Sequence, residues 1–163
     1  MSVQIGHSHA AWGDVSAAYV VKLTEVATSD DTVEGRIAVG SLAAFCPFVP
    51  KRFYVIHGMA KGERRGQHAH KCLWQAMIAM SGGVEIVLDS GVAKRAVTLD
   101  HPAQCLIVPP GLWRDITSLH DGAVLFVLAS EEYDESDYIR DYESFLAFRA
   151  TVTEKLCGLL DAR

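Results

Sequence analysis

The chain has 163 residues, half of them hydrophobic and 21% charged, with a formal net charge of −5. That length and composition suit one domain with a real core and exclude a disordered chain. The negative charge counts against a general nucleic-acid or anionic-membrane binder.

No apolar run reaches the length of a transmembrane helix, and residues 1–10 (MSVQIGHSHA) lack the basic and apolar regions of a signal peptide. The four cysteines, Cys46, Cys72, Cys105 and Cys157, form no CxxC pair. They read as reduced, mostly buried thiols of a cytoplasmic protein rather than a zinc site.

Residues 1–20, with His7 and His9 in a polar stretch, read as an N-terminal arm, and 21–163 as a single domain. Residues 20–23 and 35–42 read as short strands, with a turn at 28–32 between them. Prolines 47 and 50 bracket a loop. Residues 52–57 (RFYVIH) are rich in β-branched and aromatic side chains and predict a strand. Its alternation puts Arg52, Tyr54 and Ile56 on one face and Phe53, Val55 and His57 on the other.

A glycine-punctuated connection, 58–66, leads to His68-Ala69-His70. On a strand, residues two apart share a face, so both imidazoles point the same way. Residues 72–80 are apolar and end at Gly82-Gly83. Residues 84–89 and 93–99 predict a hairpin around Ser90-Gly91. Residues 104–108 read as a buried strand, 113–117 as extended and 123–129 as the most apolar strand. The acidic, tyrosine-rich segment 130–142 reads as a solvated edge. Helical spacing of apolar residues predicts a helix over 142–160. Many short strands and one terminal helix make an all-β sandwich or barrel. No Rossmann glycine fingerprint and no P-loop is present.

A His-x-His pair entering an apolar strand is either a metal site or an acid/base site. The pattern around it resembles the cupin β-barrel, a jelly roll. Gly62 is followed after five residues by His68-Ala69-His70, after four more by Gln75, and after six more by Gly82. Pro109-Pro110-Gly111 is followed after two residues by Arg114. Gln75 and Arg114 stand where the cupin pattern has a glutamate and a histidine ligand. An amide is a poor replacement for a carboxylate, and a guanidinium cannot ligate and repels cations. No metal and no other cofactor is therefore expected. A pocket with two imidazoles, an amide and a cation suits an oxygen-rich or anionic ligand and proton transfer.

A closer resemblance covers about residues 34–146. Residues 64–71 (RRGQHAHK), 81–82 (SG), 109–114 (PPGLWR) and 127–142 (VLASEEYDESDYIRDY) are similar to the sugar 3,4-ketoisomerase family, metal-independent cupins acting on dTDP-4-keto-6-deoxyglucose. The resemblance implies that the ketone of a dTDP-linked keto sugar moves from C4 to C3, for a deoxyaminosugar pathway such as one feeding lipopolysaccharide O-antigen. It also implies a homodimer that exchanges N-terminal strands. The chemistry needs a base for the C3 proton, an acid at C4 and a donor that steadies the enediolate.

Carried over from the family, His68 is the base, His70 relays or donates a proton, and Tyr54 donates a hydrogen bond or proton. Arg65 and Arg114 are expected to meet sugar oxygens or the pyrophosphate. Gln75 is expected at a hydroxyl or at a neighbouring side chain, and Trp113 against a base, a sugar or the core. His57 stands as a third imidazole near the pocket. Two other readings are an epimerase of a nucleotide-linked keto sugar and a non-catalytic sugar-nucleotide-binding cupin.

Overall fold

The computed structural model describes residues 13–27 and 35–160. Alternating apolar residues drive the strands, because each pleated run can then bury one face. Strands β1 (Tyr19–Lys22), β9 (Gln104–Val108), β6 (Gln75–Ser81), β11 (Ala123–Ala129) and β4 (Arg52–Met59) form one five-stranded sheet in that order. The second sheet runs β12 (Tyr138–Ile139), β5 (Arg64–His70), β10 (Trp113–Ser118), β7 (Val84–Asp89) and β8 (Lys94–Leu99). Every strand pair is antiparallel. The result is the jelly roll of a cupin barrel.

The main core lies between the sheets. Met77, Leu106 and Leu125 from the first sheet and Ile86, Leu88 and Leu99 from the second are fully buried there. A helix, α2 (Tyr142–Leu160), starts at the predicted residue and ends at the predicted one. Its Phe145 packs with Ala69, Trp113 and Ile139 on the outer face of the second sheet. On the outer face of the first sheet, Ala76, Cys105 and Ile107 pack under Phe45 and Phe48. These two aromatics come from a short helix, α1 (Leu42–Phe45), and the loop after it. The turn from β6 to β7 needs its glycines: Gly82 has φ +74, and a Cβ there would stand 2.9 Å from the Ala123 Cα.

The predicted arm begins to dock before residue 21. Gly13 N–H donates to the Pro110 carbonyl at 2.9 Å, Ala18 is buried, and β1 pairs with β9 from Tyr19 onward. His7, His9 and the predicted 28–32 turn lie outside the described residues. The strand carrying the histidine pair starts inside the predicted connection, at Arg64. Cys105 is buried, Cys46 partly so, and Cys72 is exposed, contrary to the expectation that the thiols are mostly buried. The side chain of Cys157 is outside the described residues. Two further strands, β2 (Thr24–Ala27) and β3 (Arg36–Val39), pair as a separate ribbon. Val26, Ile37 and Val39 on it are about half exposed.

Among the described residues no helix is long and apolar enough to cross a membrane.

Candidate active site

The site lies inside the barrel, between β4 of one sheet and β5 and β10 of the other. Alternation along β4 turns Arg52, Tyr54 and Ile56 inward and leaves Phe53, Val55 and His57 exposed on the opposite face. Across the cavity, β5 carries a bulge. Arg114 pairs with His68 and Asp115 with Gly66, so Gln67 is an extra residue with no partner. Gly66 has φ +84 and Gln67 φ +53. A Cβ at Gly66 would stand 2.8 Å from the Arg114 carbonyl oxygen, so the bulge depends on that glycine.

The bulge delivers His68 and His70 side by side. Their Nε2 atoms are 3.2 Å apart and their rings meet edge-on at 4.8 Å between centroids. His68 Nδ1–H donates to the Gly66 carbonyl at 2.9 Å. His70 Nδ1–H donates to Asp137 Oδ2 at 2.8 Å. Asp137 is itself fixed: its Oδ1 accepts from the Cys72 N–H at 2.7 Å, and its carbonyl accepts from the Lys71 N–H. With both Nδ1–H bonds committed, each neutral ring has its lone pair on Nε2. The gap between the two Nε2 atoms therefore has room for one proton.

Burial comes first in pushing His68 down to about 4, with the Arg114 guanidinium second. The same two causes push His70 down, against the pull of the Asp137 carboxylate on its Nδ1–H. Both rings are thus neutral at pH 7 and able to accept a proton. Only His68 faces the cavity; His70 lies behind it, 1% exposed.

Opposite them sits a second chain of groups. Arg114 is the largest fully buried side chain, and burial lowers it to about 10, which leaves it charged at neutral pH. No carboxylate pairs with it among the described residues. Its guanidinium donates to Gln75 Oε1 and to the Leu112 carbonyl, and its Nε–H has no partner among the described groups. Gln75 Nε2–H donates to the Tyr54 hydroxyl at 2.7 Å. Burial pushes the Tyr54 phenol up to about 12, so it stays protonated.

The cavity between these groups holds about 260 Å³, bounded by Arg52, Tyr54, His68, Arg114, Tyr133 and Tyr138, with Ile56, Gly66, Met77 and Ile116 completing the wall. It adjoins a hollow of about 550 Å³ that shares Arg52, Tyr133 and Tyr138 and adds Lys71 and Cys72.

His68, His70, Tyr54 and Arg114 thus gather as expected from the sequence. His57 and Arg65 do not join them, while Trp113 and Gln75 take the core and neighbour-bonding alternatives expected for them. His57 is exposed on the outer face of β4, because strand parity sends it away from Tyr54. Trp113 precedes Arg114 on a regular strand and so faces outward, edge-on to Tyr142 at 5.2 Å between centroids. Gln75 is buried behind the cavity wall and bonds to two neighbours. Arg65 opposes the inward Ile116 across the strand pair, on the cavity side, but it is exposed and its guanidinium pairs with Glu63 at 2.5 Å.

Three residues were not anticipated. Asp137 and Tyr138 come from the segment that reads as a solvated edge, and Arg52 from a strand end. The Tyr138 ring lies 5.0 Å from His68 and 4.3 Å from His70, and the Arg140 guanidinium covers it at 4.3 Å.

The cupin ligand positions do not suit a metal here. The Arg114 guanidinium occupies one of them and bonds to the amide at another. Among the described residues no group of three or more His, Cys, Asp or Glu is placed to hold an ion.

Comparisons with known proteins agree with this fold. The model of the FdtA family (WxcM-like, C-terminal) matches residues 19–150. A TDP-4-oxo-6-deoxy-alpha-D-glucose-3,4-oxoisomerase of Aneurinibacillus thermoaerophilus is 40% identical over 118 residues, which cover 69% of this chain and 85% of that protein. The crystal structure of QdtA, a sugar 3,4-ketoisomerase from Thermoanaerobacterium thermosaccharolyticum, in complex with TDP, is similar with a TM-score of 0.73. It is 33% identical, and the match covers 82% of this chain and 95% of that one. A mutant of QdtA in complex with TDP-4-keto-6-deoxyglucose matches at the same TM-score, 32% identity, and 82% and 94% coverage.

Proposed function

The chain belongs to the FdtA (WxcM-like, C-terminal) family of sugar 3,4-ketoisomerases, and on that basis we propose that it moves the ketone of a TDP-4-keto-6-deoxyhexose from C4 to C3. The observation that carries this reading is the neutral imidazole pair, with His68 on the wall of the small cavity that Tyr54 and Arg114 also line and His70 directly behind it.

The C3 proton is acidified by the neighbouring C4 carbonyl. His68, the imidazole on the cavity wall, takes it. The proton enters the Nε2–Nε2 gap, where His70 shares it, and Asp137 keeps His70 in the tautomer that can do so. Negative charge develops on the C4 oxygen. The protonated Tyr54 hydroxyl and the Arg114 guanidinium supply donors and positive charge for it in a site shielded from bulk water. The C4 oxygen gains a proton while the C3 hydroxyl loses its own, and delivery of a proton exchangeable with solvent to C4 then consumes the enediol, leaving a hydroxyl at C4 and the ketone at C3. A 3-keto product is poised for amination, which fits a deoxyaminosugar pathway.

A second copy of the chain completes the molecule in this reading. Phe53 is 66% and Val55 44% exposed on the outer face of β4, and the β2–β3 ribbon exposes Val26, Ile37 and Val39. Such apolar surfaces favour association, and an exchange of N-terminal segments between two copies covers both. Light scattering on Ile37→Asp with Phe53→Asp tests this, and an unchanged dimer mass refutes it. The free cysteines agree with a reducing, cytoplasmic location.

One experiment tests the reaction. Chelator-treated protein is incubated with TDP-4-keto-6-deoxyglucose in deuterated water and followed by NMR. Migration of the carbonyl with deuterium appearing at C4 is the expected result. A carbonyl that stays at C4 while exchange or inversion occurs elsewhere would identify an epimerase. Tight binding without exchange would identify a binding protein.

A further inference from the structure

We propose that Gln75 is a positioning residue that sets the direction in which the Tyr54 hydroxyl donates. The inference rests on the isomerase reading only in taking the receiver of that hydrogen bond to be a sugar oxygen.

The direction follows from donor and acceptor counts. A guanidinium has only donors, so Arg114 requires the Gln75 oxygen to face it. The Gln75 nitrogen must then face Tyr54, and an amide N–H can only donate. The Tyr54 oxygen therefore accepts this bond, and its own proton must leave in another direction. Among the described residues no acceptor bonds to that proton. Tyr54 stands on the cavity wall, so the free direction is toward a ligand oxygen. Without Arg114 the amide could turn over and present its oxygen to the phenol. The buried, fixed charge of Arg114 prevents this, and Gln75 transmits its orientation to Tyr54 without reaching the cavity.

The same logic explains why an amide stands where the cupin pattern has a glutamate. A carboxylate at this position would still pair with Arg114, but it would also accept from Tyr54. The phenolic proton would turn inward, away from the substrate.

The test is Gln75→Glu, which preserves shape and gives Arg114 a counterion, alone and combined with Tyr54→Phe. The expected loss is about 10²-fold in kcat, the scale of removing one oxyanion donor, with KM changed less than about three-fold. In the Tyr54→Phe background the same substitution should cost less than about two-fold, because the donor it misdirects is already gone. A kcat equal to wild type overturns the inference. So does an undiminished loss in the Tyr54→Phe background, which would assign the effect to Arg114. Gln75→Met, of similar volume but without either hydrogen bond, provides a second variant with the same expected dependence on Tyr54. A readout independent of turnover is the ¹³Cζ resonance of Tyr54 in tyrosine-labelled protein, assigned by its absence in Tyr54→Phe. It should shift in Gln75→Glu. If the wild-type protein does not turn over the keto sugar, the isomerase reading fails while this resonance still decides the hydrogen-bond direction. An unmoved resonance overturns the inference.

Discussion

Acidification below pH 6.5 should weaken the fold before it stops the chemistry, and His68 contributes to both effects. In the unfolded chain this imidazole takes a proton near its ordinary 6.5; in the fold, burial and Arg114 hold it to about 4. The unfolded state thus binds more protons in that window. The contribution is complete above pH 6.5 and is lost as the pH falls toward about 4. At about 1.36 kcal/mol per pH unit the gap amounts to roughly 3 kcal/mol, as an upper bound. Urea unfolding at pH 7.0, 5.5 and 4.5 measures it, with His68→Asn as control. The wild-type slope should exceed that of the variant across this range. The variant should bind TDP nearly as well as wild type but show no turnover. Because His68, the proposed base, stays neutral in mild acid, the acid limb of kcat/KM should fall near pH 4 to 5. An acid limb at 6.5, in protein shown to be folded by circular dichroism, would refute the idea of a desolvated neutral base. Equal slopes in wild type and His68→Asn would refute it independently.

Asp137→Asn should lower kcat by about 10²-fold or more with little change in TDP affinity, because the amide no longer fixes the His70 tautomer; retained turnover would remove Asp137 from the mechanism. Arg114→Met should lower kcat by about 10²- to 10³-fold. Yet its melting temperature should stay level or rise, since a buried charge without a carboxylate partner gives way to an apolar side chain of similar length. A clear fall in melting temperature would contradict this. Gly66→Ala should destabilise the protein by about 2 kcal/mol or more, from the positive φ and the contact with the Arg114 carbonyl. It should also disturb the histidine pair, visible as a changed imidazole NMR spectrum.

Much of this site was legible where strand alternation is local and regular. The β4 stretch 52–57 sorted itself into Tyr54 inward and His57 outward, and the period of two brought His68 beside His70. The same rule argued against two of the expected contacts. Trp113 and Arg114 are adjacent on a regular strand and cannot share a face, so only Arg114 enters the barrel. Other features depended on long-range pairing. Asp137 meets His70 across 67 positions of sequence because β12 adds to the edge of β5, and an acidic, tyrosine-rich run carries no periodicity that announces this. The bulge at Gln67 is also hidden in the sequence. It lets Arg65 and His68, three residues apart, fall on the same side. Gln75 shows a further limit: its position in the motif was plain, but whether its amide met ligand or neighbours depended on Arg114 reaching it from the facing sheet.

The buried guanidinium has one more consequence. A cupin that relies on a bound ion has a positive centre that can be exchanged, starved or stripped away. Here the positive centre is part of the polypeptide, introduced at translation and retained for the life of the molecule. Its replacement is a matter of mutation rather than supply, so the responsiveness of this site to its surroundings passes to the histidines beside it.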